Sequence, residues 1–104
     1  MPVQIAWRSG SLHRFDAIAT KGPSEVVVLD VMASDKHIDE VPVASLYAKI
    51  FDVAPSQAIL VAIPNLTEKA RKLAALYRIS VIEASNSQEA AEQLKDRFGW
   101  TGLT

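Results

Sequence analysis

The 104-residue chain is predicted to be a single α/β domain, a three-layer α/β/α arrangement around a mixed five-stranded sheet. Three observations predict it. The first third holds three strand-like runs joined by short turns, which makes an antiparallel meander. The remainder alternates strand-sized apolar runs with segments of helical period, which makes parallel βαβα units. The connections stay short throughout, with no repeat, linker or low-complexity stretch.

The elements follow in order. "VQIAWR" (3–8) alternates apolar and polar residues and reads as a strand; "SGS" (9–11) is turn chemistry. "LHRFDAIAT" (12–20) is the second strand. "KGPS" (21–24) is the next turn, with Gly22 free to take positive φ and Pro23 fixing its own. "EVVVLDVMA" (25–33) is nearly continuous in apolarity, as a strand covered on both faces should be.

The polar loop "SDKHIDE" (34–40) leads to Pro42, suited to the first residue of a helix, with Val43, Leu46, Tyr47, Ile50 and Val53 at helical spacing. "APSQ" ends that helix, and "AILVAI" (58–63) is another buried strand. "NLTE" (65–68) has the spacing of a capping box, Asn65 with Glu68, before a stripe of Leu66, Ala70, Leu73, Ala74 and Tyr77. "ISVIEA" (79–84) is a short strand. "NSQE" (86–89) opens the last helix, with Ala91, Leu94 and Phe98 inward.

Composition bounds the function. Apolar residues at 49% and charged residues at 22% suit a globular domain and argue against disorder. A net charge of −1 gives no global pull toward nucleic acid or membrane, so such binding would need a local patch. With no cysteine, disulfides and thiolate metal sites are excluded, and a cytoplasmic setting is expected. No apolar run is long enough to span a membrane, and "MPVQIAWRSG" lacks the pattern of a secretory signal.

The chemistry centres on two aspartates. A hairpin about Gly22-Pro23 places Asp16 and Asp30 opposite each other, with Cβ atoms ~5 Å apart on one face. Carboxylates that close repel, so one takes a proton or a cation sits between them. Magnesium needs only one or two carboxylates, completed by water and phosphate oxygens. Two structural alternatives compete. A register slip by one residue would turn one acid to the other face, and Arg14 could neutralise Asp30 diagonally.

These residues carry a resemblance. An aspartate-bearing strand, a tight turn and a strand with a second acid resemble the restriction-endonuclease-like nucleases, the PD-(D/E)xK superfamily. "SGSLHRFDAIATKGPSEVVVLDV" is similar to its Mrr-type branch, and the five-strand order fits as well. The resemblance implies Asp16 as the first metal-binding acid, Asp30 as the second, and magnesium or manganese as the cofactor of an active member. The pattern departs at three points. Met32 stands where the motif carries its lysine, Phe15 stands for the motif's proline, and the helix that usually precedes the first strand is missing, which implies a minimal or truncated version. A thioether neither carries charge nor donates a hydrogen bond. Lys49, on the helix after the third strand, and Lys36, in the loop beyond Met32, are the candidates to replace the motif lysine; each reads first as a solvated surface lysine.

Lys69, Arg71, Lys72 and Arg78 concentrate positive charge and are the candidate contacts to DNA phosphates. Glu68 is mixed among them, and a solvated helix face explains the pattern as well. His13 and His37 form no metal motif, and the four glycines form no phosphate-cradling loop. Trp7 and Trp100 read as core or interface aromatics.

Three functions follow. The favoured one is a catalytically degenerate nuclease-fold domain, without a cofactor, acting as a nucleic-acid-associated or interaction module within a larger regulatory assembly. The second is an active magnesium-dependent DNA endonuclease. The third is a homodimerisation module built on an exposed edge strand.

Overall fold

The computed structural model describes residues 3–6, 12–21 and 25–99, with side chains from Asp16 to Ile18 and from Glu25 to Gly99. The turns at 9–11 and 22–24, Trp7, Trp100 and the side chains of His13 and Arg14 lie outside the described residues.

Continuous apolar runs become the buried strands. β4 (Glu25–Ala33) and β5 (Gln57–Ile63) are the two central strands of a four-stranded sheet of order β3-β4-β5-β6, with β3 spanning Ala17–Lys21 and β6 Ser80–Glu83. β3 runs antiparallel to β4, paired from Ala17↔Leu29 to Lys21↔Glu25. β4, β5 and β6 are parallel, and the crossovers carry α1 (Glu40–Val53) and α2 (Glu68–Leu76). α3 (Ser87–Phe98) follows β6.

The predicted five-stranded sheet is not what forms. The strand expected over 12–20 divides at Asp16, which sits in a bend. Its first half, β2 (Leu12–Phe15), pairs with β1 (Val3–Ala6) in a separate two-stranded antiparallel ribbon. Its second half joins the main sheet as β3. The run of apolar residues across position 16 gave no sign of the division, because the bend is made by side-chain bonds.

Alternation along β4 assigns the two faces. Val28 belongs to a core with Val43 and Leu46 of α1 and Ala70 and Ala74 of α2, together with Leu60. Val27 and Leu29 belong to the opposite core, with Ile59, Val61, Ile82 and Ala90 and Leu94 of α3. Thus α1 and α2 cover one face and α3 the other. β5 is buried at every position from Ala58 to Ala62, since helices cover it on both sides.

Each helix begins where a short polar side chain satisfies a free N–H. Asp39 accepts from Val41 N–H, so α1 starts two residues before Pro42. Pro42 then occupies the third helical position, where an N–H would still lack an intrahelical partner. Asn86 accepts from Glu89 N–H at 2.8 Å and opens α3 as expected. The expected Asn65–Glu68 box does not form; Thr67 caps α2, accepting from Ala70 N–H. The cause is tertiary. Asn65 O accepts from Ile38 N–H, and Thr67 N–H donates to Ile38 O. This bridge holds 65–67 extended beside 37–38, and Leu66 is buried ahead of the helix instead of within its stripe. In α3 the inward residues are Ala90, Leu94 and Phe98, with Ala91 only half-buried. No helix among the described residues is long and apolar enough to cross a membrane.

Leu60, fully buried at the centre of the sheet, supplies a test of this core. Leu60→Ala is expected to cost about 2–5 kcal/mol, from lost burial plus the cavity left behind. Urea unfolding should show a lower midpoint with an unchanged slope, whereas Lys95→Ala on the exposed face of α3 should stay within about 0.5 kcal/mol of the parent.

Candidate functional site

The site is built where β3 runs out. The register that pairs Ala17 with Leu29 places Asp16 opposite Asp30 at the next position. There the side chains take over from the ladder. Asp16 N–H donates to Asp30 Oδ1 at 2.9 Å, and Val31 N–H donates to Asp16 Oδ2 at 2.6 Å. Each acid thus caps a backbone N–H of the other strand, and these two bonds fix the bend between β2 and β3.

Parity puts Asp30 under α1: it lies on the same face of β4 as Val28, which packs in the α1/α2 core. Asp16 stands in the bend outside the strand, its carboxylate turned to Val31 N–H. Lys49 descends from α1 and donates to Asp30 Oδ2 at 2.7 Å. The sequence had suggested a solvated surface lysine; the helix instead brings its ammonium to a buried carboxylate.

Asp30 is the one buried charged side chain among the described residues. Isolated burial of an ionised carboxylate is costly, so such groups are paired and hydrogen-bonded. Even so, burial pushes the Asp30 carboxyl above its ordinary pKa. The Lys49 hydrogen bond, the Asp16 N–H and the Lys49 charge oppose that rise, and the charge of Asp16 adds to it.

The other expected site residues lie elsewhere. Met32, in the place of the motif lysine, packs against the α1/α2 core. Lys36 is exposed after β4, its N–H donating to Ser34 Oγ, and no bond among the described residues joins it to either aspartate. Arg71 is not an open phosphate contact. Its Nε and one terminal nitrogen donate to both carboxylate oxygens of Glu83 at 2.8 Å each. Lys69 lies 3.7 Å from Glu40 and Lys72 3.4 Å from Glu68. Arg78 occupies the turn after α2 with φ 60°. α2 packs beside β6, two strands across the sheet from β4. The four cations are therefore not gathered at the aspartates, and three of them face carboxylates.

Two groups escaped the sequence reading. Glu83 accepts from Leu66 N–H as well as from Arg71, and Arg71 also donates to Leu66 O, so the pair ties α2, β6 and the segment before α2 together. The Arg71 hydrogen bond holds the Glu83 carboxyl below its ordinary pKa, against the opposing effect of burial. His37 is exposed, and its Nδ1 meets Asn65 Oδ1. It lines an open cleft of about 450 Å³ with Met32, Asp39 and Pro42 at the end of β4. Neither group carries a sequence motif; both depend on which loops meet.

Asp30 and Glu83 should respond to pH with opposite signs. The raised pKa of Asp30 makes its ionisation a cost to the native state; its stabilising contribution is present below the unfolded pKa and lost as pH rises through the folded one. Asp30→Asn removes this ionisation but also takes away the carboxylate that Lys49 donates to, so the pH dependence is the readout: the variant's Tm relative to the parent should fall as pH drops and the parent carboxyl protonates. The lowered pKa of Glu83 stabilises above the unfolded value and is lost as pH falls through the folded one. Glu83→Gln should therefore lower Tm at pH 7, and its deficit should close in acid. Melting curves from pH 7 to pH 3 check both; a stabilising Glu83→Gln at pH 7, or an Asp30→Asn variant that gains on the parent as pH falls, would contradict the assignment.

No family model and no curated protein matches the chain. Among solved structures, the chain is similar to one titled "Crystal Structure of Protein of Unknown Function AF1548". The TM-score is 0.72 at 17% sequence identity, over 98% of this chain and 58% of that one. The chain thus spans less than two thirds of its neighbour's length, and at this identity the likeness extends to the fold alone.

Proposed function

We propose that the chain is a metal-dependent phosphodiesterase domain of the PD-(D/E)xK type, acting on DNA, with Asp16 and Asp30 as metal-binding acids and Lys49 as the motif lysine moved onto a helix. One observation carries this reading over the degenerate one: Lys49 Nζ lies 2.7 Å from Asp30 Oδ2. Loss of the lysine at position 32 was the reason to expect inactivity, and an ammonium from α1 reaches the same acid.

The donor set suits a hard cation. Both carboxylates supply oxygen ligands, and among the described residues no third His, Cys, Asp or Glu joins them. Magnesium or manganese accepts such a site, taking its remaining ligands from water and substrate oxygens. When bound, the ion supplies polarisation of the phosphate and a lower pKa for its bound water.

The chain's own residues do the rest. Asp16 and Asp30 are held in place by backbone N–H groups of the partner strand, so their geometry is set before a substrate arrives. Lys49 Nζ offers a positive charge and a donor beside them, suited to a phosphate oxygen or an attacking water. General acid–base assistance of this kind is worth ~10²–10⁴ in rate.

Plasmid and single-stranded DNA incubated with magnesium or manganese provide the test. Cleavage is expected, and Asp16→Asn, Asp30→Asn and Lys49→Met should each reduce it by about 10² or more. A parent protein with no cleavage under either metal returns the domain to the degenerate class.

A separate observation supports a role in protein association. Phe51 on α1 and Leu76 at the end of α2 are 74% and 73% exposed, and Tyr47 touches Phe51 and stacks on Tyr77 at 3.7 Å. If this flank joins two copies, light scattering should give a dimer that Phe51→Ser converts to a monomer. A monomeric parent removes that reading.

A further inference from the structure

We infer that Lys49 is a tethered cation that closes the metal-binding edge of Asp30, so that a divalent ion enters by displacing it. The inference rests on the metal-dependent reading above and concerns how that site is loaded.

Among the described residues, three of the four carboxylate oxygens at the site carry a protein donor. Asp30 Oδ1 takes Asp16 N–H, Asp16 Oδ2 takes Val31 N–H, and Asp30 Oδ2 takes Lys49 Nζ. The first two bonds involve backbone of β4 and of the bend before β3; breaking them would dismantle the end of the sheet. The third comes from a long flexible side chain that is 26% exposed. It is the contact that can be exchanged for another cation without breaking the backbone hydrogen bonds at the end of the sheet.

Charge makes the exchange selective. Asp30 is 8% exposed, and a carboxylate so placed requires a counter-charge. Lys49 supplies it while the ion is absent. An ammonium and a divalent cation cannot share Asp30 Oδ2 without strong like-charge repulsion, so binding of one moves the other. The released ammonium remains on α1 above the acids, where a phosphate oxygen would receive it. Any anion that takes up Lys49 should then favour metal binding, and metal should favour the anion by the same factor.

Manganese titration of the full chain, read by calorimetry and electron paramagnetic resonance, tests the displacement without measuring catalysis. Lys49→Gln removes the competing charge and should bind Mn²⁺ at least about tenfold more tightly than the parent, whereas Lys49→Arg keeps the charge and should match the parent within about threefold. Asp30→Asn should weaken binding in either background. A parent that binds Mn²⁺, with Lys49→Gln binding equally or more weakly, overturns the displacement and leaves the metal site standing. Absence of Mn²⁺ binding by both parent and Lys49→Gln overturns the metal site itself. A second measurement needs no variant. Acylation of Lys49 in the parent, mapped by mass spectrometry, should accelerate at saturating Mn²⁺ while Lys95 on α3 stays unchanged; an unaltered Lys49 rate overturns the displacement.

Discussion

The buried carboxylate of Asp30 is the constraint around which this domain is arranged. It lies in the central part of β4, on the face covered by α1 and α2, where the neighbouring positions of that face are apolar. A charge there needs donors from every side that can supply one. The bend at Asp16 supplies a backbone N–H and α1 supplies Lys49. A strand terminus and a helix are thus tied to one point of the sheet. Burial still raises the pKa of the group, so the domain carries an electrostatic cost at neutral pH.

The division of the first sheet follows from the same place. An uninterrupted strand from 12 to 21 would present a backbone carbonyl to Val31 N–H. Asp16 presents a carboxylate oxygen in its stead. The chain is then free to turn, and β2 pairs with β1 in a separate ribbon. One residue therefore acts as a strand breaker, as a cap for the neighbouring strand and as half of the acidic pair.

The cations show how little formal charge says about binding. Arg71 looked like a phosphate contact because it stands among lysines on a helix. In the fold it holds Glu83 in a two-pronged pair and braces the segment before α2. Lys49 looked like a solvated lysine because it lies opposite the apolar stripe of its helix. In the fold it reaches the buried acid. A bidentate arginine–carboxylate pair and a buried-acid lysine are both decided by where a helix sits over a sheet.

Local pattern alone determined much of this protein. Unbroken apolarity marked β4 and β5, helical spacing marked the inner faces of α1 and α2, and the antiparallel pairing of β3 with β4 set Asp16 opposite Asp30. Those features depend on residues close in sequence or on one hairpin. Tertiary structure decided the rest. The Ile38–Leu66 bridge delayed α2 to a Thr67 cap, the side-chain bonds at Asp16 split a strand, and the docking of α1 chose Lys49 over Lys36 as the partner of Asp30. Each is a contact between segments far apart in the chain, and the angular position of a helix over a sheet, which fixes such contacts, is set by the packing of the whole core.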